Sequence, residues 1–294
     1  MKVTVKNING TECSEFNAGD IVIFYIELKP DATGSVLLNV DGITNSSSLI
    51  GGTAKITIEG LTTGIKVATI NYIGDDKYWS GNVSCNITVN ALDSKFNIKN
   101  GVQYSVYAVD YSAGERGKIL KFKLLDSNGN PVSGESVKLT YGKNVVYKNT
   151  TDQGIVSFVI NAQVAGTYKS SLYFSGNEKY NSASASFSIK VNKKPITITA
   201  KAKTFKAKVK TKKYVVTLKT KKCSSNNGKI YLKSGKKVTH KVNGKTYTAK
   251  INAKGKATFK ITKLTKKGKF TATIKFAGDK TYKAAIKKVK ITIK

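Results

Sequence analysis

The chain has 294 residues, of which 40% are hydrophobic and 9% aromatic, a composition that suits two or three folded domains and excludes a disordered polymer. It contains three prolines, three cysteines and one histidine, and no apolar run approaches the ~18 residues that span a bilayer, so collagen-like, metal-rich and membrane-spanning classes are excluded. The formal net charge is +34, from 51 lysines and arginines against 17 acidic residues, which favours an anionic partner.

The chain begins with Met1-Lys2-Val3-Thr4-Val5 and ends with Lys290-Ile291-Thr292-Ile293-Lys294. Neither segment has the apolar core of a signal peptide or the length of an anchor helix. We predict that both form strands.

Apolar and polar residues alternate along several segments between these ends, with the period of two that is typical of half-buried strands. We find no amphipathic helical pattern. The residues predicted to face the core are Val22, Phe24, Ile26 and Leu28; Val36, Leu38 and Val40; Ala54, Ile56 and Ile58; and Phe270, Ala272, Ile274 and Phe276.

Three landmarks recur at steps of 102 residues: Gly64, Gly166 and Gly268; Gly74, Gly176 and Gly278; and Tyr78, Tyr180 and Tyr282. This period is too long for a solenoid repeat and matches a whole β-sandwich domain of about 100 residues. We predict an all-β chain of three tandem immunoglobulin-like sandwiches in an elongated row, with domains at 1–91, 92–192 and 193–294. The second glycine and the tyrosine of each set form a structural repeat motif, and each tyrosine is expected to pack back on its own sandwich.

The residues between the repeats add turn signals. Asn128-Gly129, followed by Pro131, predicts a hairpin between two strands. Together with the Thr151-Asp152-x-Gly154 turn, this pattern resembles the bacterial immunoglobulin-like domains of invasin- and intimin-type surface proteins. The Gly-Asp/Asn-x-x-Tyr endings and the lysine-rich last repeat are similar to those of adhesin-like proteins from methanogenic archaea.

This resemblance extends over essentially the whole chain and specifies the fold better than the ligand. It implies a non-enzymatic stalk displayed outside the cell, at the cell surface or in the cell wall, with a role in adhesion or attachment. The chain would then be a fragment of a longer secreted protein.

The positive charge is concentrated in the last repeat. Repeats one and two have net charges of −3 and +5, whereas repeat three has 33 lysines, no arginine and a single acidic residue, for a net charge of +32. Its lysines alternate with apolar residues, so we predict that they line the outer faces of strands. The candidates for binding a polyanion are Lys206, Lys208, Lys210, Lys254, Lys256, Lys260, Lys288 and Lys290. Solubility or a high-salt habitat is the alternative explanation for the charge.

Catalysis and metal binding find little support. His240 is the only histidine and Asp279 the only acid of repeat three, whereas a triad needs a base, a nucleophile and an orienting acid. Asp126, Asn128 and Asn130 have the spacing of early calcium ligands but lack the later bidentate glutamate, and a plain turn explains them. We therefore expect no enzyme activity, no catalytic residue, no cofactor and no metal.

Cys13 and Cys85 both lie in repeat one, near its first and last strands. In an immunoglobulin-like sandwich these strands often run side by side, so a disulfide is geometrically feasible; two reduced thiols are the alternative. Cys223 has no partner in its own repeat and is expected to be free.

Repeat two contains 8 of the 15 tyrosines, including Tyr104, Tyr107, Tyr111, Tyr141 and Tyr147, which either fill the core and strand edges or form a platform for sugars or proteins.

These observations predict a stalk in which repeats one and two act as spacer or adhesion modules and repeat three attaches to an anionic cell-wall polymer or surface. Glycans or proteins of a host or neighbouring cell are further candidate partners. We expect a monomer without a small-molecule substrate or membrane span. The alternative function is sequence-nonspecific binding of nucleic acid or another polyanion, although arginine, which makes the commonest specific base contact, is absent from the basic repeat.

Overall fold

The computed structural model of the chain describes residues 1–99, 101–110, 115–220, 232 and 234–294. These residues form 24 β-strands in six sheets. In this part of the chain no helix has the length and hydrophobicity required to cross a membrane.

The first eight strands form two sheets with the orders β1-β3-β6 and β2-β8-β7-β4-β5. They are β1 (Lys2–Lys6), β2 (Glu15–Asn17), β3 (Val22–Glu27), β4 (Ser35–Val40), β5 (Ile43–Ser48), β6 (Thr53–Ile58), β7 (Gly64–Tyr72) and β8 (Gly81–Asn90). We call this unit the first domain.

The next eight strands repeat the arrangement, with the orders β9-β11-β14 and β10-β16-β15-β12-β13. They are β9 (Ser94–Phe96), β10 (Gln103–Tyr107), β11 (Lys118–Asp126), β12 (Ser136–Tyr141), β13 (Asn144–Asn149), β14 (Ile155–Ile160), β15 (Gly166–Phe174) and β16 (Ala183–Asn192). This unit is the second domain.

The third domain has the orders β17-β19-β22 and β18-β24-β23-β20-β21. Its strands are β17 (Ile196–Thr199), β18 (Lys203–Phe205), β19 (Lys212–Thr220), β20 (Lys237–Val242), β21 (Lys245–Lys250), β22 (Lys256–Ile261), β23 (Gly268–Phe276) and β24 (Ala285–Ile293).

Each domain therefore pairs a three-stranded with a five-stranded sheet in one shared topology. The second strand of each domain runs parallel to the last one, and the other strand pairs of each sheet are antiparallel. Side chains from both sheets form one core per domain. This confirms the predicted all-β class with three tandem immunoglobulin-like sandwiches. The predicted boundaries after residues 91 and 192 lie in the short connections that follow β8 and β16, and as exact limits they remain predictions.

The predicted alternation is confirmed in the strands. Phe24, Ile26 and Leu38 have no exposed surface, and Ala272 and Ile274 of the third domain are equally buried. Because a pleated strand turns successive side chains to opposite faces, the polar residues between these positions lie on the outer surface.

The predicted hairpin at Asn128-Gly129 is confirmed only locally, because Leu125 and Pro131 form an antiparallel bridge across the turn. The backbone does turn there, with the N–H of Gly129 donating to the carbonyl of Asp126 at 3.1 Å. However, β11 lies in the three-stranded sheet and β12 in the five-stranded sheet, so the connection crosses between sheets instead of joining paired strands. The side chain of Asp126 is part of this turn, since it accepts a hydrogen bond from the backbone N–H of Asn130 at 2.8 Å. No group of three potential metal ligands occurs among the described residues.

The motif that recurs before each final strand is a tight turn closed by one side chain. In the three copies the Oδ1 atom of Asp75, Asn177 or Asp279 accepts hydrogen bonds from the backbone N–H groups two and three residues later, at 2.7–2.9 Å. The glycines before these residues are Gly74, Gly176 and Gly278, with φ angles of 88°, 79° and 80°. A Cβ atom on Gly176 would lie 2.7 Å from the carbonyl oxygen of Tyr180, so both the backbone conformation and the space require glycine.

The three repeat tyrosines occupy matching turns but make different contacts. Tyr78 and Tyr180 are partly buried against the cores of their own domains, and the hydroxyl of Tyr78 donates to Asp31 at 2.7 Å. Tyr282 is completely buried, and its hydroxyl donates to Asp110 of the second domain at 3.0 Å.

We expect Gly176→Ala to destabilise the second domain more than Gly129→Ala. Both glycines have positive φ angles, of 79° and 86°, so an alanine at either position costs about 1–2 kcal/mol of backbone strain. Only Gly176 adds a clash with backbone atoms, because nothing lies within 4 Å of a Cβ on Gly129. Thermal unfolding of the two variants measures the difference, and equal losses of stability would show that the turn tolerates a side chain.

A buried charged cluster joins the second and third domains. Lys194, in the connection after β16, is 4% exposed and forms an ion pair with Glu115, which is 3% exposed. The same Glu115 carboxylate accepts from the backbone N–H of Asp110 at 2.7 Å. Burial and the carboxylates of Glu115 and Asp110 raise the pKa of Tyr282 far above its usual value, so this phenol stays protonated and donates to Asp110.

The first and second domains are joined by an apolar residue at the equivalent place. Leu92 is buried, and it forms a parallel bridge with Tyr180 just as Lys194 does with Tyr282. In both joints the backbone of the connecting segment is hydrogen-bonded to the repeat turn of the following domain, at 2.8–2.9 Å. The backbone geometry is therefore shared, while one joint is apolar and the other is ionic.

We expect Glu115→Ala to lower the free energy of unfolding of the second and third domains by about 3–5 kcal/mol, because it leaves the Lys194 ammonium buried without its partner. The double variant Glu115→Ala/Lys194→Leu should recover most of that loss, since Leu92 occupies the equivalent position in the other joint. Calorimetry of the full chain resolves the effect. A single variant as stable as the wild type, or a double variant no better than the single one, would contradict the assigned role of the ion pair.

Candidate polyanion-binding surface of the third domain

The outward face of the five-stranded sheet in the third domain consists almost entirely of lysine and threonine. Strand register and burial place fifteen side chains on it. They are Lys237, Lys241, Lys250, Lys269, Lys275, Lys288 and Lys290; Thr204, Thr239, Thr246, Thr248, Thr271, Thr273 and Thr292; and Ile286. We call this surface the Lys/Thr face.

Threonines separate most lysines on this face. Lys241 lies between Thr246 and Thr273, and Lys290 lies opposite Thr271. Lys237 and Lys250 are the pair of lysines directly opposite each other on this face. Because like charges directly opposite destabilise a sheet, this alternation lets the sheet hold many ammonium groups that solvent can screen.

The three-stranded sheet presents a second basic surface on the other side of the sandwich. Thr199, Thr217 and Lys256 lie side by side across β17, β19 and β22. Together with Lys219 and Lys254 they line a cleft of about 510 Å³, which we call the basic cleft. None of the described residues that line it is acidic, and its ammonium and hydroxyl groups are suited to an anionic group such as phosphate, sulfate or carboxylate.

A third group of lysines lies in a turn rather than a strand. The prediction that Lys206, Lys208 and Lys210 alternate along a strand is wrong, because β18 ends at Phe205 and β19 begins at Lys212. All three side chains are nevertheless exposed. The intervening segment is held by Lys212, whose buried ammonium donates to the carbonyl of Val209 at 2.6 Å.

The eight predicted lysines are all exposed but do not form a single site. Lys254 and Lys256 line the basic cleft, Lys260 lies farther along the same sheet beside Lys213, Lys288 and Lys290 lie on the Lys/Thr face, and the remaining three lie in the turn. Sequence reasoning missed the other lysines of the Lys/Thr face and the contribution of Lys219 to the cleft. The alternation of outward and inward residues in β20, β21 and β23 would have identified the other lysines of the Lys/Thr face. The contribution of Lys219 could not be found in this way, because the cleft depends on how β17, β19 and β22 pair.

The charge of the third domain is almost uncompensated. Asp279 is the only acid between residues 193 and 294, and it pairs with Lys236 at 2.5 Å. Burial raises the pKa of Asp279, but hydrogen bonds from Lys236, Thr281 and Tyr282 outweigh this and hold the pKa below its usual value. The one carboxylate is thus occupied by its own turn and by one lysine.

His240 lies in the core and not at a surface site. It occupies the strand position of Leu38 and Leu139, because these three residues pair with Ile70, Leu172 and Ile274 in equivalent registers. Its ring has no exposed surface and lies 5.2 Å from the rings of Tyr214 and Phe259, between centroids. Neither ring nitrogen has a hydrogen-bond partner among the residues that the structure describes, and burial lowers the pKa of His240 below the ordinary histidine value.

We expect the third domain to lose stability as the pH falls below about 6.5, the ordinary histidine value. The folded pKa is lower than the unfolded one, so the unfolded chain takes up a proton first and stability is full only at higher pH. His240→Leu should remove this dependence and stabilise the domain by about 1–3 kcal/mol, since two unpartnered buried nitrogens disappear. Unfolding midpoints of the two proteins at pH 5 and pH 8 test this. A Leu variant with the wild-type pH dependence would assign the effect to other groups.

The corresponding faces of the first two domains have different chemistry. In the first domain the outward positions of β2, β4, β5, β7 and β8 are mainly asparagine, serine and threonine, without lysine or aromatic residues. In the second domain the same face contains the lysines Lys138, Lys169 and Lys190 together with exposed tyrosines. One architecture thus presents three different surfaces.

The structure also places the cysteines and the remaining tyrosines. Cys13 and Cys85 are free thiols that pack against the first core, and burial raises the pKa of both. The disulfide between them is therefore not formed in this structure. The backbone N–H of Cys13 donates to the carbonyl of Val5 in β1 at 3.1 Å, whereas Cys85 lies in β8 of the other sheet. Cys223 and Tyr111 lie outside the described residues.

The tyrosines of the second domain divide between the core and the surface. Tyr141 belongs to the buried core, and Tyr104 packs against it with its ring centroid 5.5 Å from that of Phe122. Tyr107 and Tyr147 are 39% and 61% exposed. The core-filling explanation therefore accounts for only some of these residues.

Comparison with known proteins adds the following findings. No protein-family model matches the chain, and no curated protein does so. Among solved structures, invasin, a bacterial integrin-binding protein, is similar over 100% of this chain and 60% of its own, with 15% identity and a TM-score of 0.41. The titin domains I67–I69 are similar over 100% of both chains, with 12% identity and a TM-score of 0.35. A 1.5-MDa bacterial ice-binding adhesin is similar over 100% of this chain and 98% of its own, with 13% identity and a TM-score of 0.33.

Proposed function

We propose that this protein is a non-enzymatic, adhesin-like stalk segment of a prokaryotic cell surface, and that its third domain attaches to an anionic cell-wall polymer or surface. The observation that supports this most directly is the arrangement of lysines over both sheets of the third domain, whereas the first and second domains have net charges of only −3 and +5. Solubility would not require charge so strongly confined to one unit.

The attachment is electrostatic and distributed. Each lysine ammonium is a hydrated point charge on a flexible stem and does not impose the bidentate geometry of arginine. The Lys/Thr face, the basic cleft and the turn at residues 206–210 point in different directions, so a flexible polyanion can be held in many orientations. Attraction between these lysines and the polymer also relieves their mutual repulsion, because lysines on strands about 4.8 Å apart lie within the Debye length of about 8 Å at physiological salt.

The first and second domains serve as spacer and adhesion modules in this proposal. Their connecting segments are short and are hydrogen-bonded to the following domain. A stalk with such joints transmits force and orientation between the attachment domain and the first domain.

The alternative function is sequence-independent binding of nucleic acid. The same lysines would neutralise phosphates, and binding would fall steeply with salt. Base recognition has little support, since Arg116, the sole arginine of the chain, lies in the second domain and arginine makes the commonest specific base contact.

We expect a six-fold variant of the third domain to lose binding to anionic polymers. In this variant Lys206, Lys208, Lys254, Lys256, Lys288 and Lys290 are all replaced by Gln in the full chain. The matched control replaces six exposed lysines of the second domain: Lys95, Lys99, Lys118, Lys121, Lys143 and Lys148. Retention on isolated prokaryotic cell walls and on immobilised DNA is measured from low salt to ~1 M, where the Debye length is about 3 Å.

The proposal predicts that the first set weakens retention on walls strongly, that the control set does so much less, and that salt abolishes most of the binding. A single Lys256→Gln change should have little effect. Equal losses for both sets, or retention that ignores salt, would refute distributed attachment by the third domain. Preference for DNA over wall polymer at every salt concentration would support the alternative function.

A further inference from the structure

The outward face of the second domain contains a row of side chains that the attachment function does not use. Lys138 of β12 pairs with Tyr147 of β13 on one side and with Tyr173 of β15 on the other. All three side chains lie on the outward face, and the two tyrosines are 61% and 41% exposed. Because neighbouring strands lie about 4.8 Å apart, the two aromatic side chains are separated by about 10 Å across the sheet.

The side chains around this row are mainly polar, apart from the exposed Val145 beside Tyr147. Ser184 lies opposite Tyr173, and Ser171 lies beside Thr140 in the adjacent row. None of the outward positions in β10, β12, β13, β15 and β16 is an aspartate or glutamate. The Lys138 ammonium lies 4.9 Å from the centroid of the Tyr173 ring and forms no salt bridge with any described residue.

This combination matches the chemistry of a polysaccharide with acidic sugar units. A pyranose ring has an apolar C–H face that stacks on an aromatic ring, and hydroxyl edges that bond with serine and threonine. Two tyrosines on either side of a central position can hold two sugar rings of an extended chain. The carboxylate of a sugar acid would draw the Lys138 ammonium away from the Tyr173 ring, over which it lies in this structure, and would leave that ring face free for a sugar.

We propose that the face containing Tyr147, Lys138 and Tyr173 binds an acidic polysaccharide, with the tyrosines stacking on sugar rings and Lys138 pairing with a uronate carboxylate. This site is on a different domain from the attachment surface and depends on stacking as well as charge. It therefore goes beyond the proposed function, and either can fail without the other.

The two sites can be distinguished experimentally because their binding depends differently on salt. High salt screens the exposed lysines of the third domain, whereas stacking of sugar rings on tyrosine depends little on ionic strength. At ~1 M salt, where the Debye length is about 3 Å, residual binding of the full chain should report mainly the second domain.

The test uses the full chain and oligomers of galacturonic acid, with their fully methyl-esterified forms as uncharged probes. We expect the double variant Tyr147→Ala/Tyr173→Ala to weaken binding at high salt by about tenfold or more, in line with the stacking energies of bases on aromatic side chains. Tyr107→Ala is the matched control, because Tyr107 is 39% exposed on the opposite edge strand of the same sheet. Lys138→Gln, introduced into the six-lysine variant to weaken binding by the third domain, should lower the affinity for the acid at low salt and leave binding of the ester unchanged.

A double variant that binds at high salt as the wild type does would overturn the proposal, as would equal losses in the Tyr107 control. If Lys138→Gln in the six-lysine variant left binding of the acid at low salt unchanged, the acidic-sugar assignment would be overturned. The six-lysine variant of the third domain should retain the high-salt binding, and its loss there would assign the site to the third domain instead. Thermal unfolding of each variant verifies that the surface changes leave the fold intact.

Discussion

The alternation of side chains along a β-strand is the constraint on which the rest of this structure depends. Every second residue of each core strand is committed to the sandwich interior, as with Phe24 and Ile26 in the first domain, and the residues between them are free to vary. The three domains share one strand order and one repeat turn, yet their outward faces range from neutral amides and hydroxyls to an array of lysine and threonine. The inward residues of each strand therefore determine the fold, and the outward residues of the same strand determine the surface chemistry.

Much of the fold could be predicted from this alternation, because burial of apolar residues at period two leaves a clear pattern in the sequence. The Gly-Asp/Asn-x-x-Tyr turns could be placed for the same kind of reason, since a glycine with positive φ and a capping side chain are local requirements. The assignment of β11 and β12 to different sheets could not be predicted, because the Asn128-Gly129 turn has the same sequence signature in a hairpin and in a connection between sheets. Sheet partition is a property of long-range pairing.

The candidate site shows the same division. Outward lysines of the strands follow from the alternation, but the turn at residues 206–210 has the same alternation of lysine and apolar residues without being a strand. The buried ammonium of Lys212 satisfies carbonyls of that turn, and nothing local distinguishes this lysine from its exposed neighbours. His240 in a leucine position, and the ionic joint built from Lys194 and Glu115, likewise depend on contacts between residues far apart in the sequence.

The central claim is that the third domain meets its anionic partner over several surfaces at once. The most direct measurement is reductive methylation of lysines in the full chain, with and without a saturating anionic cell-wall polymer, followed by mass spectrometry of each modified position. The account predicts protection of lysines on the Lys/Thr face, in the basic cleft and at residues 206–210, with little change for exposed lysines of the first domain such as Lys2 and Lys55. Uniform protection of all three domains, or no protection of the third, would contradict it.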